Sequence, residues 1–351
     1  MMAIIVKAFD MAGPGDVSGL GQVLLSIGVE RVVRLAVFVK VEGDYEDGSR
    51  EVARSALERL IAEFGLVDRT QLLTAVGCEG VSTPFGYVLA DLDTPGLAVL
   101  GSKQPRLVMG FACSAPPPAT ELDSPALVGR VADTVRLAIA NANLSLDQVV
   151  MSFVKVPQPV AVEGTDQRVR GRRTRGVAAL GAGIALGEVD AARVTNSAIG
   201  TDSSLFSRRV QNFAGPEVTR VEVIVLGNRS GTDGDLVACS TIANDLIDVR
   251  SLRRMLMAGG LHLDTEGELA EPERVAAFFI KAGPRADGRV RGARTTIYSS
   301  AIPPEKHMRA AQSGLLAGLL GTTRVFNTGD PIQAAPEGGA VACALIKAGP
   351  G

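Results

Sequence analysis

Near its start the chain carries AIIVKAF (3–9), a continuous apolar run too short for a helix. Such runs, bounded by turn residues, predict buried strands. They recur as LAVFVKV, QLLTAV and YVLADL, then RLVMGFA, VVMSFVKV and VEVIVLG, then DLVACST, VAAFFIKA and AVACALIKA. Between them, apolar residues return every three or four positions in SGLGQVLLSIG, EVARSALERLIAEFG, SPALVGRVADTVRLAIANAN, GVAALGAGIALGEV, DVRSLRRMLMAGG and MRAAQSGLLAGLLG. That spacing, in strong helix formers, predicts amphipathic helices. In the second and third units, ARVTNSAIGTDSSLFS and TRVFNTGDPIQ are expected to hold a strand that runs into a turn, as QLLTAVGCEG does in the first.

The order of elements is the same three times, and internal repetition of this kind governs the whole fold. Boundaries near residues 103 and 232 divide the chain into units 1–103, 104–232 and 233–351. The expected class is α/β: three homologous domains in pseudo-threefold array around one central site. Each unit ends one strand on a lysine, Lys40 in FVKV, Lys155 in FVKV and Lys281 in FIKA. An arginine follows each, as Arg50, Arg175 and Arg291. A single lysine at a strand end caps a surface; three matched lysine–arginine sets predict a cationic pocket, costly unless it serves a function.

Composition narrows the classes. Apolar residues make up 46% of 351, the net charge is −2, and Trp is absent. With aromatics at 4%, a base-stacking nucleic-acid binder is not expected. The basic stretch RVRGRRTRG (168–176) is read as a loop over the mouth of a site for an anionic substrate. The four cysteines form no CxxC pair and suit a reducing compartment. No apolar run reaches the length of a membrane span, and MMAIIVKAFDM does not read as a signal peptide, so a cytoplasmic protein is expected. GPGDVSGLG lacks dinucleotide-loop spacing, and Pro14 removes a backbone donor; it is read as a tight turn with Ser18 as N-cap.

Taken with the three-fold repeat, GPGDVSGL, the VKVEG block, GCEGV, TRGVAALG, ADGRVRGAR and PEGG give a sequence that resembles the cyanuric acid hydrolase and barbiturase family of ring-opening amidohydrolases. The resemblance runs nearly end to end. It implies one Lys, one Arg and one Ser from each domain around a flat cyclic amide, imide or ureide, with the second domain's lysine and serine as the nucleophilic dyad. It also implies a homo-oligomer, a homotetramer, with no cofactor, nucleic acid or membrane partner. Carried over, the dyad is Ser207 with Lys155, and Ser203 and Ser204 stand by should the register differ. Substrate contacts fall to Lys40, Arg50, Ala75, Val76, Arg175, Arg208, Lys281, Arg291, Thr328 and Gly329.

Two serine positions depart from the family, Ala75 in TAVGCEG and Thr328 in FNTGD, so a less symmetric substrate than cyanuric acid is expected. The family's structural metal uses an acidic residue just after the third lysine; Gly283 stands there, and no metal is expected. The residues agree on the chemistry. His262 and His307 lie away from the repeated strand ends, so a Ser-His-Asp triad does not fit. A lysine surrounded by like charge and buried becomes a neutral base. The same residues also suit a cyclising or acyl-transfer enzyme, or a binding scaffold without catalysis.

Overall fold

The computed structural model describes residues 2–44, 47–93, 104–158 and 167–349. They form a mixed α/β protein. The first third contributes β1 (Met2–Asp10), α1 (Ser18–Ile27), β2 (Val32–Val41), α2 (Ser49–Glu63), β3 (Thr70–Val76) and β4 (Phe85–Asp93). The middle contributes β5 (Arg106–Cys113), α3 (Pro125–Asn141), β6 (Val149–Pro157), α4 (Gln167–Ala185), β7 (Val210–Gly215) and β8 (Glu222–Arg229). The last third contributes β9 (Leu236–Ala243), α5 (Val249–Ala258), β10 (Val275–Ala282), the two-residue strands β11 (Arg289–Val290) and β12 (Ala293–Arg294), α6 (Pro304–Leu320), β13 (Phe326–Gly329) and β14 (Ala340–Lys347).

Three four-stranded sheets share one topology, with orders β1-β4-β2-β3, β5-β8-β6-β7 and β9-β14-β10-β13. In each, the lysine-bearing strand lies antiparallel to the closing strand and parallel to the strand that follows its helix. Local chemistry marks the starts of α3 and α5. Ser124 accepts from the Ala126 N–H at 3.2 Å ahead of Pro125, and Asp248 accepts from the Ser251 N–H at 3.0 Å, each meeting a donor the helix leaves unpaired.

Period-two alternation decides what each sheet face meets. In β2, Leu35, Val37 and Val39 pack with Leu20 and Leu24 of α1 and Leu57 and Ile61 of α2. Ala36 and Phe38 point the other way, into a core common to all three sheets. In β10, Phe278 and Ile280 join the helix-side core with Leu256 and Leu316, while Ala277 and Phe279 join the common one. At its centre Phe38, Phe153 and Phe279 form a near-equilateral triangle, with ring centroids 4.8, 4.8 and 4.9 Å apart. Tilted and edge-on aromatic contacts of this kind are worth about 0.5–1.5 kcal/mol each beyond the area they bury. Two residues beyond each ring, on the same face, stands a lysine.

Three expectations change. Ser18 lies inside α1, and the cap-like acceptor is Asp16, which takes the N–H groups of Ala12 at 2.9 Å and Ser18 at 3.0 Å. RVRGRRTRG is largely helical, because α4 begins at Gln167. The segment 192–207 holds turns and no strand; the corresponding strand is β7, starting at Val210. The boundary expected near 103 lies outside the described residues, and residue 232 falls in the connection between β8 and β9.

Candidate active site

The ends of β2, β6 and β10 and the starts of α2, α4 and α6 leave a cavity of about 510 Å³. Its wall is dominated by charge: Lys155, Lys281, Arg50, Arg172, Arg175 and Arg309, with Asp44, Asp47 and Asp330. The lysines end up there because each continues the inward face of its strand past the phenylalanine triangle. All three are buried, between 1 and 2% exposed.

Their surroundings differ. Lys40 lies just behind the wall, donating to the carbonyls of Val76 at 3.3 Å and of Gly77. Burial lowers its ammonium to about 8. Lys155 donates to the Thr74 carbonyl at 2.6 Å, to Thr74 Oγ1 at 3.1 Å and to the Glu217 carboxylate. Burial opposes ionisation of Glu217, yet Lys155 and Arg50 hold it at about 2. Burial pushes the Lys155 ammonium below its ordinary value, and the Glu217 carboxylate in contact opposes that shift. Among the described residues Lys281 makes no hydrogen bond or ion pair to a carboxylate, although the Asp330 charge acts on it, and it sits over the Phe213 ring, 4.5 Å from its centroid. Burial, and then the Arg175 guanidinium, push it well below the ordinary lysine value.

The arginines come from equivalent helices. Arg50 opens α2 and donates from Nη1 to the Ala214 carbonyl at 3.1 Å. Arg175, on α4, lies 3.4 Å from Asp330. Arg309, on α6, makes a two-pronged contact to Glu79 at 2.6 and 2.7 Å. Such forks suit planar oxygen-bearing edges. A family model described as "Amidohydrolase ring-opening protein" matches residues 5–347.

The chain belongs to the ring-opening amidohydrolase family. It is 30% identical to a cyclic amide hydrolase of Azorhizobium caulinodans over 99% of this chain and all of the relative. A cyanuric acid amidohydrolase of Methylobacterium sp. is 33% identical over 96% of this chain and 95% of its own length. Barbiturase 1 of Nocardioides sp. is 26% identical over 99% of both. Among solved structures, a cyanuric acid hydrolase aligns with a TM-score of 0.88 at 27% identity, covering 99% of this chain and all of that one. These relatives are hydrolases of carbon–nitrogen bonds other than peptide bonds, and the chain is an enzyme of that kind.

In this amidohydrolase, Arg50, Ala75, Val76, Lys155, Arg175, Lys281, Thr328 and Gly329 all line the cavity. Ser207, Arg208 and Arg291 do not. Ser207 is fully buried elsewhere; its Oγ donates to Glu188 at 2.5 Å and its N–H to the Gln333 carbonyl at 3.0 Å. No hydrogen bond joins it to Lys155. Ser203 and Ser204 are exposed, and Ser204 bonds Asp202 at 2.6 Å. Arg208 is exposed and stacks on Phe206. Arg291, more than half exposed, pairs with Asp245 at 2.8 Å. Counting along the chain fails in these cases because loops of unequal length separate the strands.

Strand register supplies the correct correspondence. Lys40 pairs with Ala75, Lys155 with Phe213 and Lys281 with Thr328. Phe213, not Ser207, therefore stands in the second sheet where Ala75 and Thr328 stand in the others. The sequence also left Arg309 and Glu217 unnoticed. Both had a signal: Arg50 and Arg175 lie on the helix after the lysine strand, which in the last unit is the helix of KHMRAAQ. Glu217 follows Phe213 by four residues, as Glu79 follows Ala75. Gly283 packs against Pro331 and offers no side-chain donor, so the residues here do not fit the family's metal.

Proposed function

We propose that the cavity binds a small, flat cyclic amide or imide and opens its ring by hydrolysis. On this reading the chain is three homologous units, 1–103, 104–232 and 233–351, set in pseudo-threefold array about the phenylalanine triangle. The observation that carries the proposal is the meeting of Lys155 and Lys281 with Arg50, Arg175 and Arg309 on one wall. Fixed cationic donors in a partly desolvated site favour the negative charge that develops on a carbonyl oxygen under attack. Relatives named for cyanuric acid, barbiturate and cyclic amide hydrolysis support the same chemistry.

The substrate is less symmetric than cyanuric acid. Three equivalent carbonyls call for three equivalent donor sets, whereas the positions opposite the lysines hold Ala, Phe and Thr. A methyl and an aromatic ring at two of these positions accept an apolar ring edge or substituent, since neither donates a hydrogen bond. The volume also exceeds what a bare six-membered ring fills, and falls in the range of about 300–1,000 Å³ typical of larger ligands.

The test is loss of ring absorbance with purified protein, over cyanuric acid, barbituric acid, hydantoin, and five- and six-membered cyclic imides carrying alkyl substituents. Turnover of a substituted or less symmetric ring in preference to cyanuric acid is expected. Preferred turnover of cyanuric acid would refute the substrate assignment, and an intact ring throughout the panel would refute ring opening.

A further inference from the structure

We infer that Thr328 is the nucleophile of this enzyme and Lys281 its general base, so that the reacting pair lies in the last sheet. The inference rests on the ring-opening reading above. The geometry singles the pair out in three steps.

First, residues that pair directly across neighbouring strands present their side chains on the same face of the sheet. Of the three lysine positions, only Lys281 is matched to a hydroxyl; the other two face a methyl and a phenyl ring. Thr328 is buried yet lines the cavity, and its Oγ1 makes only a long contact, 3.3 Å, to the Ile280 carbonyl. Second, Lys40 and Lys155 are engaged with carbonyl or carboxylate oxygens, whereas among the described residues none accepts a hydrogen bond from Lys281. Burial with no hydrogen-bonded carboxylate, and then the Arg175 guanidinium, dispose this amine to be neutral and to take a proton, against the opposing pull of the Asp330 charge. Third, a cation stands beside the proposed nucleophile. A methyl placed on Gly329 would come within 2.9 Å of Arg309 Nη1, so the guanidinium reaches the residue next to the nucleophile. Asp330 follows in a left-handed conformation, φ 58°, unusual for a residue with a side chain.

Thr74 is the rival, because its hydroxyl already lies 3.1 Å from Lys155 and 3.0 Å from Glu217. Lys155 Nζ donates to the Thr74 carbonyl, to Thr74 Oγ1 and to Glu217, so it gives a hydrogen bond to that hydroxyl and does not receive one, and a carboxylate held near 2 is a weak base. Thr328 and Lys281 make no hydrogen bond to each other in this structure; catalytic contacts commonly tighten only when substrate is bound.

Neutral Lys281 Nζ takes the Thr328 hydroxyl proton as Oγ1 bonds to the ring carbonyl carbon. The tetrahedral oxyanion lies toward Arg309. Its collapse breaks the ring C–N bond, and the Lys281 ammonium gives its proton to the departing nitrogen. An ester on Thr328 remains. Water then gives a proton to Lys281 as its oxygen attacks the ester, and that proton returns to Thr328 Oγ1 as the opened acid leaves.

The experiment uses p-nitrophenyl acetate as the acylating probe on the full chain, with release of p-nitrophenol followed in time and the acetylated residue mapped by mass spectrometry. The variants are Thr328→Ala, Thr328→Ser, Lys281→Met and Thr74→Val. One acetyl group on Thr328 is expected. Thr328→Ala should slow the burst about 10³-fold or more, Thr328→Ser should retain it, and Lys281→Met should slow it with thermal unfolding still cooperative. Acetyl on Thr74 or Lys155, or a burst surviving Thr328→Ala, overturns the inference. So does the absence of any acetyl group on the wild type. The two proposals fail separately. Acetylated Thr328 with no ring opened across the panel leaves the nucleophile standing and removes the ring-opening reading. Ring opening that survives Thr328→Ala does the reverse.

Discussion

Lys155 and Glu217 form an ion pair in which each side chain is about 2% exposed, at the end of a strand that the sequence had assigned to a neutral base. Both charges were taken out of water, so each depends on the other. Lys155→Met should cost about 3–5 kcal/mol by leaving the carboxylate uncompensated. Adding Glu217→Met should recover much of that loss, because a matched apolar pair removes both desolvation penalties. Urea unfolding of the two variants checks it; a single variant as stable as wild type would count against the pair.

Ser207 should matter for stability and not for turnover. Its hydroxyl donates to Glu188, which also receives the Arg208 N–H at 3.0 Å and Arg209 Nε at 2.9 Å. Hydrogen bonds to charged groups contribute about 1.5–3 kcal/mol, and Ser207→Ala should lose about that much. Its kcat on the best ring substrate should stay within about twofold of wild type, well under the tenfold that corresponds to about 1.4 kcal/mol of barrier. A Ser207→Ala protein that folds and is inactive would return the nucleophile to the second unit.

Arg309 and Arg291 offer a direct comparison between helix position and sequence count. Arg309→Lys keeps a charge opposite Glu79 and loses the fork. It should lower kcat/KM about 10²-fold, the equivalent of one charge-assisted contact in the transition state. Arg291→Ala removes an exposed partner of Asp245 and should leave kcat/KM near wild type. Steady-state kinetics on the same substrate decide which arginine serves the site.

The pH dependence of stability should carry the mark of Lys40. Its ammonium is lowered by burial from 10.5 to about 8, so the unfolded chain holds this proton more tightly than the native one. Below pH 8 both states are charged and the native state bears the full penalty. Between about 8 and 10.5 the native lysine is neutral while the unfolded one is still protonated, so stability rises with pH. The gap of about 2.5 units corresponds to about 3 kcal/mol. The difference in unfolding free energy, wild type minus Lys40→Met, should grow by about that amount across the window. A difference that stays flat or shrinks would show that Lys40 is not held in this way.

Much of the architecture was legible in the residues themselves. Alternation in LAVFVKV and VAAFFIKA puts Phe38 with Lys40, and Phe279 with Lys281, on one strand face, because successive side chains point to opposite sides. Helix periodicity in EVARSALERLIAEFG and MRAAQSGLLAGLLG located α2 and α6. Family-specific blocks spread along the chain carried the chemistry class.

Which side chains meet was decided by tertiary structure. Serine at 207 looks like its family counterpart when residues are counted. Yet β7 begins only at Val210, and the parallel hydrogen-bond ladder with β6 places Phe213 opposite Lys155. Arg291 follows Lys281 by the same ten residues that separate Arg50 from Lys40, but it follows the strand into an exposed hairpin while α6 delivers Arg309. The state of each lysine was likewise invisible along the chain. Identical Phe-Val-Lys triplets hold Lys40 against backbone carbonyls and Lys155 against Glu217, and the third lysine lies over an aromatic ring. Local pattern fixes which face of a strand a residue occupies. The partner across a parallel ladder depends on where a distant strand starts, and the charge on a buried amine depends on oxygens that other segments bring to it.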